Sequence, residues 1–332
     1  MKEFIHIFSL NNKKYQILNL NDFNLNIYSV SLENKLNICQ NKLRIDTQKS
    51  RRKKNNIKMK YITNFVEVYG LNEDGIIILN NEFVEKNNKV CKLVVNNKRY
   101  KLSYYLIYDE FNIKNKYIRV TLIKLDNFII IKNMFHGVHS LISISNFCEL
   151  DKNIDSIERL FYGCMNLKSI DGISNWNVSN INNIEYLFCN CSSLISLPDI
   201  SMWNFNNLTN MEGVFLNCIS LVSIPNISNW DIKNVESLNY LFRGCLSLNN
   251  LPDISKWNIS NICFLSGIFF DCTSLIKISD ISNWDTRNVL NLDDIFYGCS
   301  SLKILPDISK WNLINVRSMN NIFKGCSSLE NL

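Results

Sequence analysis

Apolar residues in the second half of the chain recur at every twenty-seventh position, a period far longer than that of a helix or a strand. All six tryptophans keep this interval: Trp176, Trp203, Trp230, Trp257, Trp284 and Trp311. Seven cysteines keep it as well: Cys164, Cys191, Cys218, Cys245, Cys272, Cys299 and Cys326. No insertion disturbs this register, so the C-terminal part is a tandem repeat.

One repeat unit runs from Leu194 to Ser220, with apolar positions mostly three residues apart. The stretch Leu194 to Ile200 predicts a short extended segment that ends near Pro198-Asp199. The stretch Leu208 to Phe215 has i, i+3, i+6, i+7 spacing, which predicts about two helical turns. A single unit cannot bury its apolar face alone. We therefore expect an α/β repeat solenoid, a leucine-rich-repeat-like stack of about six coils.

The recurring tryptophans and cysteines predict columns of like side chains between successive units. We expect each indole to pack on the next, because offset aromatic pairs favour centroid distances of about 4.5–7 Å; a ligand-stacking strip is the alternative. Buried cysteines act as small apolar residues. Zinc or disulfides are the alternatives, but Cys189 and Cys191 form the only close cysteine pair. Each column is thus predicted to be structural.

Polar residues form columns too. The asparagines Asn207, Asn234, Asn261 and Asn288 occupy equivalent positions of successive units. Asparagine both donates and accepts hydrogen bonds, so this ladder is expected to satisfy backbone groups in buried turns. A second column follows each tryptophan and is expected to cap a helix or a turn. Acidic residues such as Asp199 and Asp253 form a third column, for which turn capping is favoured over a cation site.

The part before the repeats is predicted to be rich in β-strands. Runs at 76–79, 92–95 and 118–123 contain many β-branched residues, and Asn96-Asn97 predicts a hairpin turn. Residues 133–147 look like a degraded first unit. The predicted organisation is an N-terminal segment (1–48), which could add strands, a basic linker (49–61), a β-rich capping domain (62–127) and the repeat array (128–332).

Charge and composition narrow the function. Residues 1–160 carry 26 Lys and Arg against 16 Asp and Glu, a net +10, whereas residues 161–332 carry 10 against 14, a net −4. The repeats therefore offer no nucleic-acid platform. The basic cluster between Lys49 and Lys60 is interpreted as a solvated linker; nuclear import or phosphate binding are the alternatives. No apolar run is long enough for a transmembrane helix and no signal peptide is evident, so a cytoplasmic location is expected.

The unit SLxxLPDISxWNxxNVxxLxxLFxGC resembles the BspA-like leucine-rich-repeat family, in the 26–27-residue form of bacterial surface proteins and many protist proteins. The resemblance extends from about Phe128 to Leu332. The stretch from Gly75 to Leu102 also looks like the β-rich leader of the protist proteins. The family implies a non-enzymatic repeat protein used for binding or adhesion, with no catalytic residues.

No catalytic or cofactor motif stands out in the chain. His136 and His139 lie three residues apart without an acidic or cysteine partner in a local motif, and no phosphate-binding loop or metalloprotease motif occurs. We therefore expect a non-catalytic scaffold without a cofactor. Its partner would be a protein of unknown identity, bound at exposed positions that vary between units: Ile195, Val222, Asn249, Lys277 and Lys303. The alternatives are a surface adhesin exported by an unrecognised route and, less favoured, an N-terminal enzyme; end-to-end pairing at the last coil is a further expectation.

Overall fold

A computed structural model describes residues 4–8, 15–19, 56–62, 75–111, 117–124, 130–148, 150 and 153–330. The regular elements, in chain order, are β1 (Phe4–Phe8), β2 (Tyr15–Asn19), β3 (Asn56–Ile62), β4 (Gly75–Ile77), α1 (Asn81–Asn87), β5 (Cys91–Val95), β6 (Lys98–Lys101), β7 (Tyr105–Ile107), β8 (Tyr117–Lys124), β9 (Leu141–Ser145), β10 (Ser169–Ile170) and a 3-10 turn at Ile173–Asn175. The predicted N-terminal segment (1–48), apart from β1 and β2, and the basic residues 49–54 lie outside the described residues.

A mixed six-stranded sheet forms the centre of the N-terminal part, with strand order β10-β9-β3-β8-β5-β6. Only β9 and β10 run parallel, whereas the other neighbours are antiparallel. Alternate residues of β5 and β8, such as Leu93 and Val120, are buried on one face. Two smaller antiparallel pairs, β1-β2 and β4-β7, complete the strands in the described residues.

The hairpin between β5 and β6 confirms the predicted turn. Asn96 and Asn97 have φ angles of 49° and 64°, and asparagine tolerates this left-handed region better than most residues. Val95 pairs directly with Lys98 across the turn. The predicted strands at 92–95 and 118–123 are confirmed as parts of β5 and β8.

Strand β3 corrects the predicted basic linker. Residues 56–61 lie inside that interval, yet they pair with β8 on one side and β9 on the other. Met59 and Tyr61 are fully buried, and Lys60 of the basic cluster is itself only 4% exposed. The alternation of apolar Ile57, Met59 and Tyr61 with lysines is a strand pattern, which the neighbouring run of cations obscured.

Helix α1 was not predicted from the sequence. Asn80 caps it by accepting a hydrogen bond from the Glu82 backbone N–H at 2.9 Å. Lys86 in the last turn forms an ion pair with Glu82, and Phe83 is buried beneath the helix. It is the only α-helix in the described ranges.

From residue 130 onward, successive repeat units lie in parallel, one on the next. Eight isolated parallel bridges each join equivalent positions of neighbouring units, for example Asn183 with Asn210. A column of phenylalanines stacks through the interior with ring centroids 5.6–5.9 Å apart, from Phe135 to Phe323. Beyond β9 and β10 the units are joined by single bridges, so the predicted extended segments do not build a continuous sheet in the described residues.

The helix predicted for Leu208 to Phe215 is wrong. The Phe215 N–H donates to Leu241 O in the next unit at 3.0 Å, and the Gly213 and Asn217 N–H groups likewise bond the next unit. The intervening N–H groups of Leu216 and Cys218 donate three residues back, within their own unit. Gly213 and Asn217 both have a φ of 56°, which interrupts helical geometry and produces this alternation. A ribbon of turns has apolar spacing similar to that of a short helix, so the pattern could not distinguish them.

Two glycines with positive φ, Gly213 and Gly267, pack closely against the preceding unit. A Cβ added to Gly213 would lie 2.3 Å from the Tyr186 ring of the preceding unit. The same relation holds between Gly267 and Tyr240, at 2.9 Å. Each glycine therefore leaves the space that its neighbour's tyrosine occupies.

The first unit joins the stack to the sheet, as the sequence of residues 133–147 indicated. Phe135 stacks on Phe161 at 5.7 Å, and Phe147 packs edge-on against Trp176 at 4.9 Å. Strand β9 of this unit is also a strand of the six-stranded sheet. The N-terminal sheet therefore continues directly into the first units of the stack.

Candidate functional site

The five residues predicted to bind a partner are all exposed and lie on one face. Ile195, Val222, Asn249 and Lys303 belong to one column, in which the Val222 N–H donates to Ile195 O at 3.0 Å and the Asn249 N–H to Val222 O at 3.3 Å. Lys277 lies in the adjacent column and bridges to Ile304. The backbone pairing between units thus brings residues that are distant in sequence side by side. We call these two columns, residues 195–196, 222–223, 249–250, 276–277 and 303–304, the partner face.

The partner face combines apolar side chains with two cations. Ile195 is 57% exposed, Ile276 49% and Ile304 69%. Lys277 and Lys303 take part in no ion pair among the described residues. Aligned exposed apolar residues with a few charges are typical of a surface that contacts another protein.

The tryptophan column is buried rather than open to a ligand. Each of its six indoles is at most 8% exposed. Trp203 stacks on Trp176 at 5.7 Å and on Trp230 at 5.9 Å. The indole Nε1–H also donates to a main-chain carbonyl of the preceding unit, as from Trp203 to Ile173 O at 2.9 Å. This hydrogen bond could not be predicted from the sequence, because the acceptor carbonyl is identified only by how far one unit is shifted relative to the next.

The cysteine column has a similar second role. Cys164, Cys191, Cys218, Cys245, Cys272, Cys299 and Cys326 each place Sγ 2.9–3.2 Å from a phenylalanine carbonyl of the preceding unit. Burial raises the pKa of the Cys245 thiol to about 12, so it stays protonated and can donate this bond. These cysteines are free, and the described residues hold no group of three or more His, Cys, Asp or Glu placed to bind a metal.

The asparagine ladder lies on the surface, contrary to the expectation of a buried one. Asn207, Asn234, Asn261 and Asn288 are all exposed. Asn261 Nδ2 donates to Lys233 O and Asn288 Nδ2 to Ser260 O, each at 2.7 Å. The side chains therefore join units along the outside, where water competes for the same bonds.

The other polar columns cap turns. The Asp199 and Asp253 carboxylates each accept a backbone N–H two residues on, at 2.9 Å. Hydrogen bonds from Ser201 hold the pKa of Asp199 below its usual value. Asp231, in the column after the tryptophans, accepts the Lys233 N–H in the same way at 3.2 Å. The sequence predicts that the column after the tryptophans caps either a helix or a turn, and the structure shows turn capping.

The repeat region matches a known protein family. Residues 129–251 and 245–332 match the family described as "Mycoplasma protein of unknown function, DUF285". The chain belongs to this family. Membership of DUF285 supports a BspA- and leucine-rich-repeat-like family in general.

The DUF285 protein also has a structural neighbour. The crystal structure of the leucine-rich repeat protein TpLRR of T. pallidum is similar to it, with 22% identity, a TM-score of 0.38, and coverage of 57% of this chain and 78% of that chain. No curated protein matches the chain. Within the described residues, no helix is both long and apolar enough to cross a membrane.

Proposed function

We propose that this DUF285 protein is a non-catalytic scaffold, a leucine-rich-repeat solenoid of the BspA-like type with a β-rich leader, that binds a protein partner through the partner face. The observation that carries the proposal is the alignment of exposed Ile195, Val222, Ile276 and Ile304 on adjacent columns. The column of Asp199 and Asp253 nearby holds polar turn caps instead. A stacked interior holds the columns at a regular spacing, which favours a broad, rigid contact.

The identity of the side chains supports binding over a purely structural role. The capping columns repeat the same residue types in nearly every unit, because they satisfy the same backbone groups. The partner face instead changes from Ile195 to Asn249 to Lys303 along one column. No described hydrogen bond requires any of these side chains. Their variation leaves them free to match a partner.

The test uses the full chain as bait for affinity capture and mass spectrometry. The double variant Lys277→Glu/Lys303→Glu reverses both cations of the partner face. The control Lys256→Glu/Lys310→Glu makes the same charge change at exposed lysines outside it. Proteins retained by the wild type and the control, but lost from the partner-face variant, are the expected result. Identical sets from all three baits would refute the proposal.

The alternative function is that of a cell-surface adhesin, favoured by the resemblance to bacterial surface repeat proteins. The same apolar columns would serve it equally well. Labelling intact cells with a membrane-impermeant reagent separates the two: a labelled chain supports the adhesin, and an unlabelled chain supports the scaffold.

A further inference from the structure

An open cavity of about 500 Å³ lies outside the partner face, between the units that contain Glu212, Ser237 and Phe264. Glu236 and Asn239 also line it. None of these residues belongs to the partner face, and none was singled out from the sequence.

Phe264 is an exception in its own column. The equivalent bridged positions of the other units are occupied by serine or asparagine: Ser156, Asn183, Asn210, Ser237, Asn291 and Ser318. All of these polar side chains except Ser318 accept a backbone N–H two residues on, as Asn210 does from Glu212 at 3.0 Å. Phe264 cannot accept a hydrogen bond, and its side chain is 42% exposed. This unit has therefore replaced a cap with an aromatic ring at the surface.

The fold restores the missing cap from elsewhere. The Ser266 N–H, which a serine or asparagine at position 264 would bond, donates to Asn239 Oδ1 of the preceding unit at 2.7 Å. The backbone group is thus satisfied without any contribution from Phe264. The local turn does not require the phenylalanine ring, which is left available to contact a ligand at the cavity.

Glu212 lacks the cation that the two preceding carboxylates of its column have. Glu158 pairs with Lys132 at 2.8 Å, and Glu185 pairs with Arg159 at 3.1 Å. Glu212, the next residue of this column, receives only neutral donors, Tyr186 Oη at 2.6 Å and Ser237 Oγ at 3.0 Å. In the described part of the chain, neither Glu212 nor Glu236 forms an ion pair.

An earlier unit of the chain holds a cation between a carboxylate and an aromatic ring. The Arg159 guanidinium bonds Glu185 and lies over the Tyr186 ring, 5.4 Å from its centroid. A carboxylate and an aromatic ring thus hold one cation between them in an earlier unit. The cavity is likewise lined by an aromatic ring and carboxylates, those of Phe264, Glu212 and Glu236.

We propose that this cavity binds a lysine or arginine side chain of a polypeptide partner, with its cation over the Phe264 ring and beside the carboxylates of Glu212 and Glu236. The site shares no residue with the partner face, so the two proposals are tested separately.

The test measures fluorescence anisotropy of a labelled octalysine peptide with the full chain. The neutral probe is the same peptide with acetylated side chains, which should bind at least tenfold more weakly. Phe264→Asn should weaken octalysine binding about threefold through loss of the cation–π contact. Glu212→Gln/Glu236→Gln should weaken it about tenfold through loss of two surface ion pairs. Asp253→Asn, which removes an exposed charge at a slot where Asn226 occurs naturally, should change it less than twofold.

Three results would overturn the site: no preference for octalysine over the acetylated peptide, unchanged binding by the cavity variants, or an equal loss in Asp253→Asn. Phe264→Asn installs the residue found at this position in other units, so unchanged thermal melting is expected and is measured first. A second measurement needs no substitution. Octalysine should shift the ¹³C ring resonances of Phe264 but not those of buried Phe269, and absence of the Phe264 shift would contradict the proposal.

Discussion

The sheet of strands β3, β5, β6 and β8 and the stack of repeat units satisfy their backbone groups in different ways. In the sheet, neighbouring strands form continuous ladders, as in the seven-residue pairing of β3 with β8. In the stack, alternate N–H groups bond the next unit while the others close turns within their own unit. The carbonyls of Ile173 and Phe215 each accept a backbone N–H within their own unit, and they also receive a tryptophan N–H or a cysteine S–H from the next unit. Side-chain donors therefore supplement the backbone bonding between units of the stack.

This difference explains the composition of the two regions. A strand needs only alternating apolar residues, so the sheet tolerates varied sequence, as Leu93, Val120 and Met59 illustrate. Each unit of the stack after the first needs particular donors at particular positions, so tryptophan and cysteine recur at every twenty-seventh residue from Cys164 onward. Breaking a donor should therefore harm the stack more than an equal loss of volume harms the sheet.

The largest expected effect is on the pH dependence of stability. Burial raises the pKa of Cys245 to about 12, and it raises the pKa of the other column cysteines as well. Unfolded thiols lose their proton near pH 8.5, so above that pH the folded stack holds more protons than the unfolded chain. The free energy of unfolding is thus unaffected below about pH 8 and falls as pH rises, by up to about 1.4 kcal/mol per thiol for each pH unit.

Tryptophan fluorescence measures this effect selectively, because all six tryptophans are in the stack. The urea midpoint should drop sharply between pH 8 and pH 10. In its described residues, the sheet contains one buried thiol, that of Cys91, whose pKa burial raises to about 11. The urea midpoint of the sheet, reported by the backbone amide signals of β5 and β8, should therefore fall less than that of the stack over the same pH range. An unchanged fluorescence midpoint at pH 10 would contradict the buried thiol column.

The next largest effect is that of removing one indole. Trp230→Ala should lower the free energy of unfolding by about 3–5 kcal/mol, because it removes a buried ring and the hydrogen bond to Ile200 O. Equilibrium urea unfolding measures the loss. Met202→Ala is the control, since that side chain is 81% exposed and should change stability by less than about 0.5 kcal/mol. Equal effects would mean that the tryptophan column is not an interior one.

These tests depend on features that the sequence predicted with unequal success. The period, the columns and the first unit at residues 133–147 follow from spacing alone, because any stack of identical units places like residues together. The ribbon of turns at Leu208 to Phe215 did not follow, because a helix accounts equally well for three-residue spacing. Strand β3 was missed because Lys58 and Lys60 continue a run of cations. Phe264 escaped notice because its departure from Ser and Asn matters only once the bridged column is known.

A smaller effect should come from the fit between glycine and tyrosine. Gly213→Ala would place a Cβ 2.3 Å from the Tyr186 ring at a φ of 56°, and we expect a loss of about 2–3 kcal/mol. Gly137→Ala is the matched control, because its φ is 73° but no atom lies within 4 Å of the added Cβ. It should lose only about 1 kcal/mol. Thermal unfolding compares them, and a larger loss for Gly137→Ala would refute the proposed fit.

The smallest effect separates hydrogen bonding from packing at cysteine. Cys245→Ala removes the thiol that donates to Phe215 O, whereas Cys91→Ala removes a buried thiol in β5 for which no hydrogen bond is present among the described residues. Both variants lose one sulfur atom from an interior. Phe215 O still accepts the Cys218 N–H, so Cys245→Ala loses only a second hydrogen bond to this carbonyl and should be about 0.5–1 kcal/mol more destabilising in urea unfolding. Equal losses would show that the column cysteines act by packing alone.

The parallel stacking of the repeat units depends most directly on the hydrogen bond from the Phe215 N–H to the next unit. Scalar coupling across hydrogen bonds, measured by NMR on the deuterated chain, identifies the acceptor carbonyl directly. We predict a coupling between the Phe215 nitrogen and the Leu241 carbonyl carbon, which the 3.0 Å N···O distance implies. A coupling to the Met211 carbonyl carbon instead, four residues back, would mean a helix and would contradict the parallel stack.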